Sequence, residues 1–271
     1  MKPPMPAAPF YFGSQGRELF GCFHEPSQKD GMRRFAILIC QPVGHEYINS
    51  HRALRQLAVR LAEAGFSVLR FDYSGCGDSY GEAEQSSLHQ WMEDISTAVV
   101  QLRALTGIFQ VCAIGLRLGG TLAALTGCQC KDFDSLVLWE PVVSGRDYLQ
   151  ELYSLQEEML RFRPKPKLPK KSPACTEILG FPFSRLLHAQ LEELDLAMIA
   201  DKPAARVLIL RNTPAIDETE GDLKDHLIQT QARVEHRTMR APQIWLPTPD
   251  GSLLVPAQVL QSVVSWVCGL S

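Results

Sequence analysis

An α/β sheet of about eight mostly parallel strands, flanked by helices, is the fold class that this 271-residue sequence predicts. Short apolar runs alternate with longer amphipathic ones along most of the chain. A crossover helix must cover the sheet it leaves, so this alternation implies parallel pairing with helices on both faces. A closing amphipathic stretch and a probable opening hairpin complete the pattern.

The elements follow in order. PFYFGSQGRELFGCFHE (9–25) predicts two strands turning at Ser14 to Gly16. FAILICQP (35–42) is a short buried strand closed by a proline. SHRALRQLAVRLAEAG (50–65) places Leu54, Leu57, Ala58, Leu61 and Ala62 on one helical face, with Ser50 as N-cap and Gly65 as the stop. FSVLRFDY (66–73) is the next strand and runs into the glycine-rich turn SGCGDSYG. A helix over 88–107, a strand over 109–115, a helix over 116–127 and a strand over 134–141 continue the pattern. RVLILRN (206–212) and the region around QIWLP (243–247) predict two more strands, and AQVLQSVVSWVCGL (257–270) the last helix.

Residues 145–205 break the alternation without a convincing strand. They include RFRPKPKLPKKSP (161–173), where six basic residues sit among four prolines and no acid. Prolines at that density forbid a regular helix, so the expectation is one domain over 1–271 with a helical cap at about 145–205, interrupted by a flexible loop. The basic stretch could dock an acidic partner, anionic lipid or polysaccharide, or be a solvated loop.

Composition narrows the class of function. A hydrophobic content of 45% with 21% charged residues excludes wholesale disorder, and a net charge of −3 gives no bulk attraction to nucleic acid. The opening MKPPMPAAPF lacks an apolar leader core, and no stretch approaches the ~20 apolar residues of a membrane span. A cytoplasmic location is expected. Eight cysteines are scattered, several inside apolar runs, and predict no disulfide framework. The lone C-x-C of Cys128 and Cys130 lacks a second ligand pair, so neither metal nor cofactor is expected.

At the level of motifs, FDYSGCGDS (71–79), GLRLG (115–119) and the position of the insertion make the chain resemble the α/β-hydrolase superfamily. GLRLG stands where that family has its strand-turn-helix nucleophile elbow. CQPVGHEY, LRFDYSGCGDS, GLRLGG and LWEPVVSGRDYLQEL together resemble a narrower group, the exosortase A system-associated hydrolases of the second type. That resemblance implies a setting in exopolysaccharide biosynthesis or export of sorted surface proteins, rather than a reaction.

An active member needs a nucleophile on the elbow, an acid after a late strand and a histidine after the last strand. The imidazole takes the nucleophile's proton and the acid orients and stabilises the imidazole. Here the elbow position is Arg117, whose guanidinium is neither nucleophile nor base near neutrality. None of the seven histidines lies beyond 243–247. An acid is available in Asp217, with Glu218, Glu220 and Asp222 behind it, although these also read as solvated loop charges. Cys76 could serve as an alternative nucleophile if its thiol pKa were lowered, with His45 reaching the same sheet edge.

Arg117 has two readings. It could pair internally with Glu140, at the end of SLVLWEP, or with Asp217. It could instead combine with the backbone N–H of Leu118 and one from the loop Pro42 to Gly44 to bind a carboxylate, phosphate or acidic sugar. The residues therefore predict a non-catalytic protein that binds an acidic ligand, and the resemblance implies that this is an acidic small molecule or polysaccharide, or that the partner is a protein of the surface-export pathway. The competing expectation is an esterase or thioesterase that uses Cys76.

Overall fold

The computed structural model describes residues 7–27, 33–161, 175–212 and 218–270. The chain opens with an antiparallel pair, β1 (Ala8–Phe12) and β2 (Leu19–His24), and continues with β3 (Phe35–Cys40), α1 (Gly44–Glu63), β4 (Val68–Phe71) and α2 (Leu88–Thr106). Next come β5 (Gln110–Leu116), α3 (Leu118–Cys130), β6 (Ser135–Trp139) and α4 (Gly145–Arg161). A two-stranded hairpin, β7 (Cys175–Ile178) with β8 (Phe181–Ser184), leads into α5 (Arg185–Glu193). The chain closes with β9 (Arg206–Arg211), α6 (Glu218–Gln229), β10 (Arg233–Thr238) and α7 (Ala257–Cys268).

Eight strands form one sheet in the order β1-β2-β4-β3-β5-β6-β9-β10, parallel from β4 to β10. The central strands are buried on both faces, as their unbroken apolar runs require. On one face α1 and α7 cover Ile37, Ile39, Cys112, Ile114 and Leu208. On the other, α2 and α3, with residues of α4 and α5, cover Leu38, Ala113, Leu136 and Ile209. The strand order reverses between β3 and β5, so the loops leaving their C-terminal ends diverge and open a crevice there. Arg117 lies at this point.

Three expectations are corrected. The last strand is 233–238, not 243–247. RVEHRT is an edge strand with one partner and an exposed side, so it carries charge, whereas Ile244 and Trp245 are buried from a loop. The first long helix starts at Gly44 rather than after Ser50; Ser50 is buried inside it and donates from Oγ to the Glu46 carbonyl at 2.7 Å. The segment 145–205 does contain strands, because Leu179 (φ 54°) and Gly180 (φ 84°) form a tight left-handed turn between β7 and β8. The basic run expected over 161–173 lies, beyond Arg161, outside the described residues.

The turn from β5 into α3 has no spare room. A Cβ on Gly119 would stand 2.3 Å from the Gln41 carbonyl oxygen, and one on Gly115 would stand 2.3 Å from the Gly120 Cα. Gly119→Ala therefore forces backbone apart and should lower stability in urea unfolding by about 3 kcal/mol. Gly269→Ala, where φ is −77° and the nearest atom is 3.3 Å away, should change it by less than about 1 kcal/mol. Equal effects of the two would contradict this packing.

Candidate functional site

Arg117 sits at the junction of β5 and α3 with φ 53° and ψ −128°. Few non-glycine residues occupy this region, and holding one there costs on the order of 1–3 kcal/mol. The turn is fixed by Arg117 N–H donating to the Trp139 carbonyl at 2.9 Å and by the Arg117 carbonyl accepting from Gly120 N–H at 3.0 Å. Neighbouring backbone, not the side chain, thus imposes the strain. The residue is 7% exposed.

Two carboxylates neutralise the guanidinium. Arg117 Nε donates to Glu46 Oε1 at 2.8 Å, and Nη2 donates to Glu151 Oε2 at 2.5 Å. Glu46 is 1% exposed on α1; its second oxygen accepts from Tyr148 OH at 3.0 Å. Glu151 is 43% exposed on α4. The guanidinium also lies 5.1 Å from the Trp245 ring centre and 5.5 Å from that of Tyr148, which favours its charge. Burial disfavours charge on Arg117, but Glu46 and then Glu151 outweigh it and raise its pKa above the ordinary value. For Glu46, burial raises the pKa, opposed by Arg117 and by the Tyr148 hydrogen bond.

Glu140, the expected partner, is turned elsewhere. It has φ 48°, accepts from Arg211 Nη1 at 3.1 Å, and takes a short hydrogen bond from the Asn212 backbone N–H. These contacts join the end of β6 to the end of β9 and leave Arg117 to acids from two helices. Asp217 lies outside the described residues. Leu118 is fully buried as the first residue of α3. Gly44 begins α1 at φ 60°, with the Phe181 ring 3.6 Å from where its Cβ would be, so the hairpin stands over the 42–44 loop.

The structure gives no hydrogen bond between Cys76 and His45. Burial, followed by Asp72 and Asp94, pushes the Cys76 thiol up to about 12, the reverse of what a thiolate nucleophile needs. Burial and the adjacent Arg117 hold His45 down at about 4, and its Nε2 is buried without a partner. His236 is in β10 itself, and no histidine follows it in the sequence.

Two cavities flank this cluster, and no residue lines both. One of about 150 Å³ lies between Arg117, Ser144, Asp147, Glu151 and Arg211. The other, of about 130 Å³, lies between the loop after β3, the turn after β4, and the β7–β8 hairpin with α5. Among the described residues no group of three or more His, Cys, Asp or Glu could hold a metal ion, and no helix is long and apolar enough to cross a membrane.

The glycine-framed turn at the crevice of an eight-stranded, mostly parallel sheet defines the α/β-hydrolase fold. Residues 42–249 match the family described as Hydrolase_4: Serine aminopeptidase, S33, and the chain belongs to that family. Solved structures agree on the fold. Est1E from Butyrivibrio proteoclasticus, solved with ferulic acid bound, is similar with a TM-score of 0.64 at 16% identity, over 95% of this chain and 97% of that one. A thermostable carboxyl esterase from Bacillus coagulans, in complex with glycerol, gives 0.63 at 15%, over 98% and 99%. The proline iminopeptidase of Mycobacterium smegmatis gives 0.60 at 12%, over 97% of each chain. No curated protein matches the sequence.

Sequence reasoning missed Glu46, Glu151, Tyr148 and Trp245 as partners of Arg117. One signal was available. Glu46 continues the apolar face of α1 through Ser50, Ala53, Leu54 and Leu57, and so faces the interior once the helix begins at Gly44.

Removing one member of the Arg117–Glu46 pair strands a buried charge. Arg117→Met should cost about 3–5 kcal/mol in urea unfolding, whereas Arg117→Met with Glu46→Leu should recover most of that loss. Glu151→Gln, at a half-exposed partner, should cost under about 1 kcal/mol. A harmless Arg117→Met would contradict the pairing.

His45 yields a pH prediction. Its folded pKa of about 4 lies below the ordinary histidine value, so the unfolded chain binds the proton more readily. Its contribution is intact above about pH 6.5 and is lost as pH falls through 4. Relative to a His45→Gln variant, the parent should lose thermal stability progressively across that window; parallel curves would contradict a buried neutral His45.

Proposed function

We propose that this chain is a non-catalytic member of its family, an accessory protein that binds a partner or an acidic ligand. The observation that carries the reading is Arg117 at the elbow, its charge already met by Glu46 and Glu151. A serine at that turn would offer a hydroxyl to an imidazole; Arg117 offers no proton to abstract near neutrality. No histidine follows the last strand to act as base. Cys76, whose thiol is pushed up to about 12, does not take over the role.

In this reading an acidic ligand approaches through the 150 Å³ cavity and replaces Glu151, the exposed partner, while Glu46 stays in place. Residues 145–205 then act as a cap that supplies Glu151 as a stand-in for the ligand's carboxylate. The setting, exopolysaccharide biosynthesis or exosortase-linked export of surface proteins from the cytoplasmic side, is supported by the resemblance of CQPVGHEY, LRFDYSGCGDS, GLRLGG and LWEPVVSGRDYLQEL.

The test is a panel of p-nitrophenyl esters, acyl thioesters and aminoacyl nitroanilides, offered to the native chain and to Arg117→Ser and Cys76→Ala variants. All three proteins should show no turnover above the uncatalysed rate, since restoring a hydroxyl restores no base. Turnover by the native chain that disappears in Cys76→Ala would overturn the proposal in favour of a cysteine hydrolase.

A further inference from the structure

The 130 Å³ cavity carries an inference that does not depend on Arg117. Its walls are largely apolar, with Trp91, Phe181, Phe183 and Leu187 on the side of the helices and hairpin. It is close in size to an engineered apolar cavity of about 150 Å³ that takes up benzene. A single ring or a short branched chain fits within that volume.

Two residues lining this space carry a buried polar atom without a hydrogen-bond partner, Tyr73 through its hydroxyl and Gln41 through its amide oxygen, and of the two the Gln41 oxygen can only accept. Gln41 is 2% exposed and lines the cavity. Its Nε2 donates to the Phe71 carbonyl at 2.6 Å and to Asp72 Oδ1 at 3.0 Å. Both partners are acceptors, which fixes the orientation of the amide, and Oε1 is left buried without a donor. Leaving a buried acceptor unmet is unfavourable, so this oxygen calls for an N–H or O–H group.

Charge narrows the class. Asp72 also lines the cavity, and no Lys, Arg or His does. Asp72 accepts from Gln41 and from the Asp78 backbone N–H at 3.2 Å, so its own hydrogen-bonding needs are met from the protein. A carboxylate or phosphate entering here would face an acidic side chain and an open acceptor with no cation. An ammonium group would shed its water for apolar walls and a carboxylate already engaged.

We infer that this cavity binds a small uncharged molecule, an alcohol on a compact aromatic or branched aliphatic group, whose hydroxyl donates to Gln41 Oε1. This ligand differs in chemistry and in place from the acidic one at Arg117.

Titration of the full chain with benzyl alcohol, toluene, benzoate and benzylamine, followed by tryptophan fluorescence and by shift of the unfolding temperature, tests the inference. Benzyl alcohol should bind saturably and raise the unfolding temperature. Toluene, which has no donor, should bind about tenfold more weakly, and benzoate and benzylamine more weakly than toluene. Trp91→Phe should remove the fluorescence change but keep the thermal shift. Gln41→Met should bring benzyl alcohol and toluene to equal affinity, and Ala83→Phe, which fills the cavity from its wall, should abolish both. Absence of saturable binding by any probe, toluene matching benzyl alcohol in the native chain, or a preference for benzoate or benzylamine would each overturn it.

Discussion

A guanidinium buried at a sharp strand-to-helix turn must find negative charge within hydrogen-bonding reach, and the elements around the crevice are arranged to provide it. Arg117 cannot shed its proton, so desolvating it is tolerable only with a carboxylate in contact. Glu46 fulfils that need from α1, and Tyr148 OH satisfies the second oxygen of the same carboxylate. Glu151 completes the cluster from α4. One side chain therefore ties the core helix α1, the elbow and the segment between β6 and β9 together. The backbone geometry there, φ 53° and ψ −128°, presents a side chain at the mouth of the crevice; in this chain what it presents is a neutralised positive charge.

The scaffold of the turn and the chemistry of the turn obey different constraints. Gly115 and Gly119 are dictated by contact, since β5, α3 and the loop after β3 approach too closely for a Cβ. Arg117, the middle one of the three residues between them, sends its side chain to Glu46 and Glu151 and takes no part in that contact. This explains how a chain can keep the frame of a nucleophile elbow while carrying a group that cannot be a nucleophile. Family membership and likeness in fold set the frame of the site, and the side chains placed in it set its chemistry.

Legibility in the sequence followed burial. Beyond Gln110 and Ser135 at their starts, the strands 35–40, 110–116 and 135–139 are covered on both faces, so their runs are apolar and stand out. β10 is an edge strand whose burial alternates, and RVEHRT reads as polar chain, while QIWLP reads as a strand because Trp245 must be apolar to pack against Arg117. The hairpin β7–β8 was hidden by its short length and by Pro182. At the site, the elbow and its arginine were legible because they are local in sequence. The partners were not: Glu46 lies 71 residues before Arg117 and Glu151 lies 34 after it. Glu140, adjacent in the sheet, is drawn to Arg211 and the Asn212 backbone by a positive φ that the sequence does not announce.

The most direct measurement of the central claim is the Nε–H resonance of Arg117 in a ¹⁵N-labelled protein, assigned by its loss in Arg117→Lys. An Nε–H bonded to buried Glu46 should give a sharp signal at neutral pH, exchange with water far more slowly than exposed arginines, and move on Glu46→Gln. A signal averaged with solvent and indifferent to Glu46→Gln would contradict the account.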